Sequence, residues 1–296
     1  MDDTYFTKGG IKVSRQRRVA TYADGIGAIC ERLNTQRGVI LSSGFEFPGR
    51  YTAFDWAFSD PPIQFETRDK AFTITALNGR GAVLLRAIRS HLERMNDISL
   101  DASESRSVKG VVTGEAAAFD ESRRSQQPTI FTMLRHVSDL FRSDEDNALG
   151  LYGAFSYDLG FQFEPIDLKT DRPMDHRDIV LFLPDEILMI DHMTEVAQII
   201  SYDFTVDGQS SEGLPRETPA APMEPPKTNI TTGSDHAPGE YADSVEKARE
   251  RFKCGDLFEA VLSQTFTHQY NARPSELFDR LRTSNPAPYG AFMNLG

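Results

Sequence analysis

The sequence predicts an α+β protein built mainly from antiparallel strands, and three observations carry that reading. Short β-branched and aromatic runs follow one another at hairpin spacing, as in "IQFETRDKAFTITALN" and "DIVLFLPDEILMIDHMTEVAQIISYDF". Amphipathic helical stretches interrupt these runs without the regular strand–helix alternation of a doubly wound fold. No internal repeat of roughly 20–50 residues is present that would signal a solenoid or propeller.

Taken in order, "TYADGIGAICERLN" sets Tyr22, Ile26, Ile29 and Leu33 at helical spacing, and "RGVILSSG" and "GRYTAFDWAF" are strand signals after it. "GRGAVLLRAIRSHLERMN" places Leu84, Ile88, Leu92 and Met95 on one helical face. "PTIFTMLRHVSDLF" does the same with Ile130, Leu134, Val137 and Phe141, and Pro128 stands at its start. These helices are expected to lie on a sheet. Asp207 to Gly239 is rich in Pro, Gly, Ser and Thr and nearly free of large apolar residues. It reads as a flexible linker that separates residues 1–206 from 240–296, with a structured crossing loop as the alternative. Beyond it, Tyr241, Val245, Ala248 and Phe252 share a helix face that Gly255 is placed to end. "LFEAVLSQTFTHQY" then reads as a strand at 257–268, apolar on both faces, expected to pair across the linker with N-terminal strands. "RPSELFDRLRTS" is a short helix, and "NPAPYGAFMNLG" is a shaped turn that feeds a strand just as the chain ends, as a piece of a longer protein would.

A chain of 296 residues with 39% hydrophobic content can bury a sizeable core in one large domain or two smaller ones. The net charge of −12 argues against a nucleic-acid or anionic-membrane binder, which would need a basic footprint. Cys30 and Cys254 are the only cysteines, so neither a disulfide framework nor a cysteine-based zinc site is expected. No apolar run approaches the roughly 20 residues needed to span a bilayer, and no leader pattern opens the chain; a cytoplasmic location is expected.

General catalytic motifs are absent: there is no Walker A loop, GxGxxG turn, HExxH or GxSxG. The six histidines lack ligand spacing, and Gly153 and Gly160 read as turn or close-packing positions. Glu259 stands out. A carboxylate in mid-strand among apolar residues is costly to bury charged, so it faces either a polar, ligand-lined cavity or a sheet edge in contact with water.

"GDLFEAVLSQTF", preceded by an amphipathic helix and followed by "NPAPYGAF", resembles the opening of the chorismate-binding domain of anthranilate synthase component I. "ILSSGFEFPGRYTAFD" is similar to that family's N-terminal strand–turn–strand, and "LYGAFSYDLGFQFEP" and "PDEILMIDHMTEVAQIISYDF" to its glycine-rich and Asp-His segments. The order is right over almost the whole chain, and the linker falls at the family's domain boundary.

The resemblance implies antiparallel sheets packed face to face with helices outside. It also implies a truncated catalytic domain at 240–296 whose magnesium-holding carboxylates lie beyond Gly296, with no metal ligand in this chain. The implied activity converts chorismate and ammonia to anthranilate and pyruvate in tryptophan biosynthesis, with tryptophan feedback. The implied partner is a glutamine amidotransferase, as a subunit or a fused domain; the chain resembles in particular the bacterial form in which the two are fused, and an oligomer is expected. Glu259 takes the position where water-using relatives carry a nucleophile-activating lysine and many anthranilate synthases a glutamine. The tryptophan site would use Ser43, Tyr51, Pro288, Tyr289 and Gly290. Arg50 is a candidate for the effector carboxylate, and Glu46 for its ammonium, because Ser42 stands where the family often has glutamate. Two other readings stay open: a tryptophan-binding regulatory module without activity, and an aminodeoxychorismate or phenazine-pathway synthase.

Overall fold

The computed structural model describes residues 2–43, 53–102, 104–114, 127–163, 166–167, 171–223 and 232–296. The chain forms two compact units, Met1–Met223 with Pro274–Gly296, and Glu224–Arg273.

The larger unit opens with β1 (Asp2–Phe6), β2 (Lys12–Ala20), a 3-10 turn (Tyr22–Asp24), α1 (Gly27–Arg32), β3 (Gly38–Ser42) and β4 (Phe54–Ser59). It continues through β5 (Ile63–Arg68), β6 (Ala71–Ala76), α2 (Gly79–Leu92), β7 (Ile98–Leu100), β8 (Ser107–Val112) and α3 (Ile130–Phe141). Then come β9 (Tyr152–Phe155), a second 3-10 turn (Tyr157–Gln162), β10 (Ile179–Leu183), β11 (Glu186–Asp191), β12 (Val196–Val206) and β13 (Gln209–Ser210). The smaller unit holds β14 (Gly233–Ser234), α4 (Glu240–Lys253) and β15 (Phe266–Thr267). The chain then returns to the larger unit with α5 (Pro274–Ser284) and β16 (Gly290–Asn294).

The strands make two main sheets, both antiparallel throughout. The first runs β1-β2-β12-β11-β4-β3-β16, with β13 added to β12; the second runs β7-β8-β6-β5-β10-β9. The α+β, mainly antiparallel class expected from the sequence is what forms.

Period-2 alternation explains why β3 reads as a continuous apolar run. Ile40 and its partner Ala57 join Cys30 of α1, Leu33 just after it and Phe278 of α5, whereas Val39 and its partner Phe58 meet Val180 and Phe182 of β10 in the other sheet. Both faces are covered, so no polar face is needed. β10 is buried along its whole length for the same reason, with Ile179, Leu181 and Leu183 facing the main core.

The helices depart from the sequence reading in three places. The first predicted helix is broken at Gly25, whose φ of +53° separates the 3-10 turn from α1. The second ends at Leu92, short of Met95. That helix, α2, is capped by Asn78 Oδ1, which accepts from Gly81 N at 2.9 Å. It does not lie outside the sheets but touches β6 of one and β12 of the other. This inward position buries Arg80, whose guanidinium donates to the Asp185 carboxylate, to Asp203 Oδ1 at 2.7 Å and to Tyr202 O at 2.7 Å.

Two organisational expectations are corrected. The first half of the proposed flexible linker is strapped onto the larger unit. Arg80 donates to Ser211 O and Leu214 O, Asn78 to Arg216 O, and the backbone N–H groups of Ala221 and Met223 donate to Thr35 O and Asn34 O. Composition misses this because the strap is held by main-chain carbonyls and amides, which every residue carries. Residues 224–231 lie outside the described residues. Second, 257–268 is not a strand: only Phe266–Thr267 pairs, and its partner is Gly233–Ser234. Phe258 and Val261 are exposed. A segment apolar on both faces becomes a strand only where neighbours flank it, and among the described residues of its unit only Gly233–Ser234 pairs with it. Residues 240–296 are therefore not one module. The stretch that pairs with an N-terminal strand is β16, whose residues Gly290 to Asn294 run against Ser42 to Gly38.

Candidate ligand pocket

Strand β16 occupies one edge of the first sheet, and its register sets Gly290 opposite Ser42. Two segments far apart in sequence thereby come together: the end of β3 with Ser42 and Ser43, and the Pro288–Gly290 turn. Gly290 allows the approach, since a Cβ there would lie 3.3 Å from Ser42 O. Helix α5 closes over the pair, because Phe278 is buried against Phe292 of β16 with ring centroids 5.3 Å apart.

Between α5 and the strands lies a cavity of about 230 Å³, lined by Ser42, Phe278, Leu281, Arg282, Asn285, Ala287, Gly290 and Ala291. Ser42 is only 4% exposed, yet its hydroxyl has no hydrogen-bond partner among the described residues. Arg282 Nε is also buried without one, and the guanidinium carbon stands 5.7 Å over the Phe278 ring. Buried polar groups without partners are uncommon in folded proteins, and two in one pocket mark a place where a polar ligand would complete the bonding.

Beneath the pocket, Asp55 of β4 is buried at 1% exposure. Its Oδ1 accepts from Ser43 N at 3.1 Å, its Oδ2 stands 3.1 Å from His192 Nε2 and 3.7 Å from Arg282 Nη2, and His192 Nδ1 faces Tyr22 Oη at 3.0 Å. The His192–Asp55 contact is close but poorly aligned for a hydrogen bond.

The structure thus brings together Ser43, Pro288, Tyr289 and Gly290 from the sequence reading. Gly290 lines the cavity; Ser43 contributes its backbone through Asp55, and the inward hydroxyl belongs to Ser42. Tyr289 is 76% exposed. Tyr51, Arg50 and Glu46 lie outside the described residues. Glu259 is exposed in the smaller unit and lies outside any strand, which corrects the expectation of a mid-strand carboxylate. Sequence reading passed over Asp55 and Arg282 and gave His192, like the other histidines, a structural or surface role. The one available signal was a lone aspartate in the strand run "FDWAFS", the same kind of signal that singled out Glu259.

Comparison with known proteins gives this geometry a context. The family described as chorismate binding enzyme matches residues 95–296. The chain belongs to that family. An anthranilate synthase of Azospirillum brasilense is 42% identical over 291 residues, covering 98% of this chain and 39% of the relative. Anthranilate synthase component 1 of Aquifex aeolicus is 28% identical over 160 residues, covering 49% of this chain and 32% of its own length. Aminodeoxychorismate synthase component 1 of Salmonella typhimurium is 30% identical over 149 residues, with the same coverages of 49% and 32%. This chorismate-binding-family chain, which is anthranilate synthase component I-like, therefore spans well under half the length of these relatives.

Among the described residues, no group of three or more His, Cys, Asp or Glu side chains is arranged to hold a metal ion. No described helix is long and apolar enough to cross a membrane.

Proposed function

We propose that this chain contributes the tryptophan-responsive part of an anthranilate synthase, an enzyme that aminates chorismate and releases anthranilate and pyruvate. The observation that carries the reading is the cavity at the β3–β16 edge, with its unpartnered Ser42 hydroxyl and Arg282 Nε, in a chain 42% identical over 98% of its length to an anthranilate synthase. An indole ring suits the apolar wall of Phe278, Leu281 and Ala291, and the polar atoms suit the ammonium and carboxylate of an amino acid. Because Ser42 comes from β3, Phe278 from α5 and Gly290 from β16, a ligand that touches all three would favour one arrangement of these elements over another, as feedback requires.

Ammonia would come from glutamine through an amidotransferase subunit or fused domain. Magnesium, with ligands supplied from outside residues 1–296, would hold the chorismate carboxylate in the cytoplasmic, oligomeric enzyme. Glu259 would stand near the incoming nucleophile only once flanking strands enclose its segment.

The test is an assay of the protein that carries this chain, with chorismate, magnesium and ammonium. Anthranilate fluorescence is expected, inhibited by tryptophan, and the 296-residue chain alone is expected to give none. A fluorescence-silent product that yields 4-aminobenzoate after lyase treatment would instead support the aminodeoxychorismate reading, which the Salmonella relative keeps in play. Tryptophan binding without turnover by any form would leave only a regulatory module.

A further inference from the structure

The reading of the pocket as an amino-acid site leaves its charged side undefined: which group takes the carboxylate, and what controls it. Among the described residues, Arg282 is the only cationic side chain that lines this cavity, and its Nε is buried with no hydrogen-bond partner there. Its terminal nitrogen stands 3.7 Å from Asp55 Oδ2, too far for a hydrogen bond but close enough to share the charge. The same oxygen is 3.1 Å from His192 Nε2. One buried carboxylate is therefore contested by a permanent cation from α5 and a switchable one from the residue that follows β11. The other groups facing His192 are Tyr22 Oη, at 3.0 Å on the opposite ring nitrogen, and the neighbouring Asp191 carboxylate.

Resting on the amino-acid reading of the pocket, we propose that Arg282 anchors the ligand carboxylate and that Asp55, shared with His192, couples this binding to uptake of one proton. With His192 neutral, the Asp55 charge is directed at Arg282 and offsets the guanidinium that an anion must approach. With His192 protonated, the new imidazolium takes the Asp55 charge, and Arg282 is released to the ligand. An arriving carboxylate pairs with Arg282 and likewise leaves Asp55 to His192, so ligand and proton favour each other reciprocally. Arg282 is the specificity-determining residue, and Asp55 and His192 act through it as positioning residues.

The test is calorimetry of L-tryptophan binding to the full chain between about pH 6 and pH 8, the range in which histidines change charge, in buffers of different ionisation enthalpy. Affinity is expected to rise as pH falls, by no more than about tenfold per pH unit for one proton, with measurable proton uptake. His192→Gln should bind tryptophan with a flat pH profile and no uptake. Arg282→Gln should weaken tryptophan by about tenfold or more, as loss of a charge-assisted hydrogen bond does. Tryptamine, which lacks the carboxylate, should bind wild type without the pH dependence, a comparison that needs no variant. Tryptophan binding that is pH-independent in wild type, or a pH dependence that survives His192→Gln or is shared by tryptamine, overturns the proposal and leaves the pocket reading standing. No tryptophan binding to wild type at any pH overturns both.

Discussion

Asn34 and Ser275, 241 residues apart, hold each other by two hydrogen bonds: Asn34 Nδ2 donates to Ser275 Oγ at 2.8 Å, and Ser275 N donates to Asn34 Oδ1 at 3.1 Å. Ser275 is fully buried and its hydroxyl also donates to Glu31 Oε1. This pair fixes the first turn of α5 against the end of α1 and so holds one wall of the candidate pocket. Truncation of Asn34 leaves the buried Ser275 N–H without its acceptor, at about 1–3 kcal/mol for an unsatisfied group, and takes one of two partners from the Ser275 hydroxyl. Asn34→Ala is therefore expected to lower unfolding free energy by about 2 kcal/mol or more and to raise amide exchange across 274–284, as followed by urea denaturation and hydrogen exchange.

Arg80 is the second long-range tie. It joins α2 to Asp185 and Asp203 and, through two carbonyls, to the strap after β12. Removal of one partner of a buried pair leaves an uncompensated charge, at a cost of about 3–5 kcal/mol. Arg80→Met is expected to destabilise by that amount and to open residues 209–223 to protease. Arg80→Met combined with Asp185→Leu should recover part of the loss. Denaturation midpoints with timed proteolysis check both.

Two glycines of one segment separate close packing from chain flexibility. A methyl group at Gly153 of β9 would sit 2.1 Å from Val180 O of β10, whereas one at Gly160 meets nothing within 4 Å. Gly153→Ala should cost about 1–3 kcal/mol through displaced strands, and Gly160→Ala should be close to neutral. Matched denaturation curves decide it.

Alkaline pH should weaken the fold in a defined window. Burial, and secondarily the nearby Asp146 carboxylate, pushes the Tyr152 hydroxyl up to about 12, against about 10 in an unfolded chain. The folded state thus holds this proton longer, so the stabilisation is complete below about pH 10 and is lost as pH rises from there toward 12. Tyr5, which donates to Asp146 Oδ2 at 2.9 Å, is raised by the same causes in the same order. A two-unit shift corresponds to at most about 2.7 kcal/mol. Unfolding free energies at about pH 8 and pH 11 should show the drop, and Tyr152→Phe should shrink it.

Period, punctuation and family resemblance made the elements legible. Ile130, Leu134, Val137 and Phe141 line the buried face of α3 as their spacing requires, and β3, β5, β10 and β12 stand where β-branched runs placed them, because strand and helix periods are local properties of a chain. The resemblance also assigned Ser43 and Pro288–Gly290 to one place, and strand register sets Gly290 opposite Ser42. Other features needed the tertiary structure. The segment 257–268 has strand composition but, among the described residues, only the two-residue partner Gly233–Ser234, and a strand exists only as far as it is hydrogen-bonded to others. The strap after β12 has linker composition but is held by the Arg80 and Asn78 side chains acting on its carbonyls. Asp55, His192 and Arg282 are separated by more than a hundred residues of sequence in one direction and by ninety in the other, by position number. Each alone reads as an ordinary polar residue; the contest for one buried oxygen arises only when β4, the turn after β11 and α5 meet, because charge coupling depends on ångströms through space and not on position along the chain.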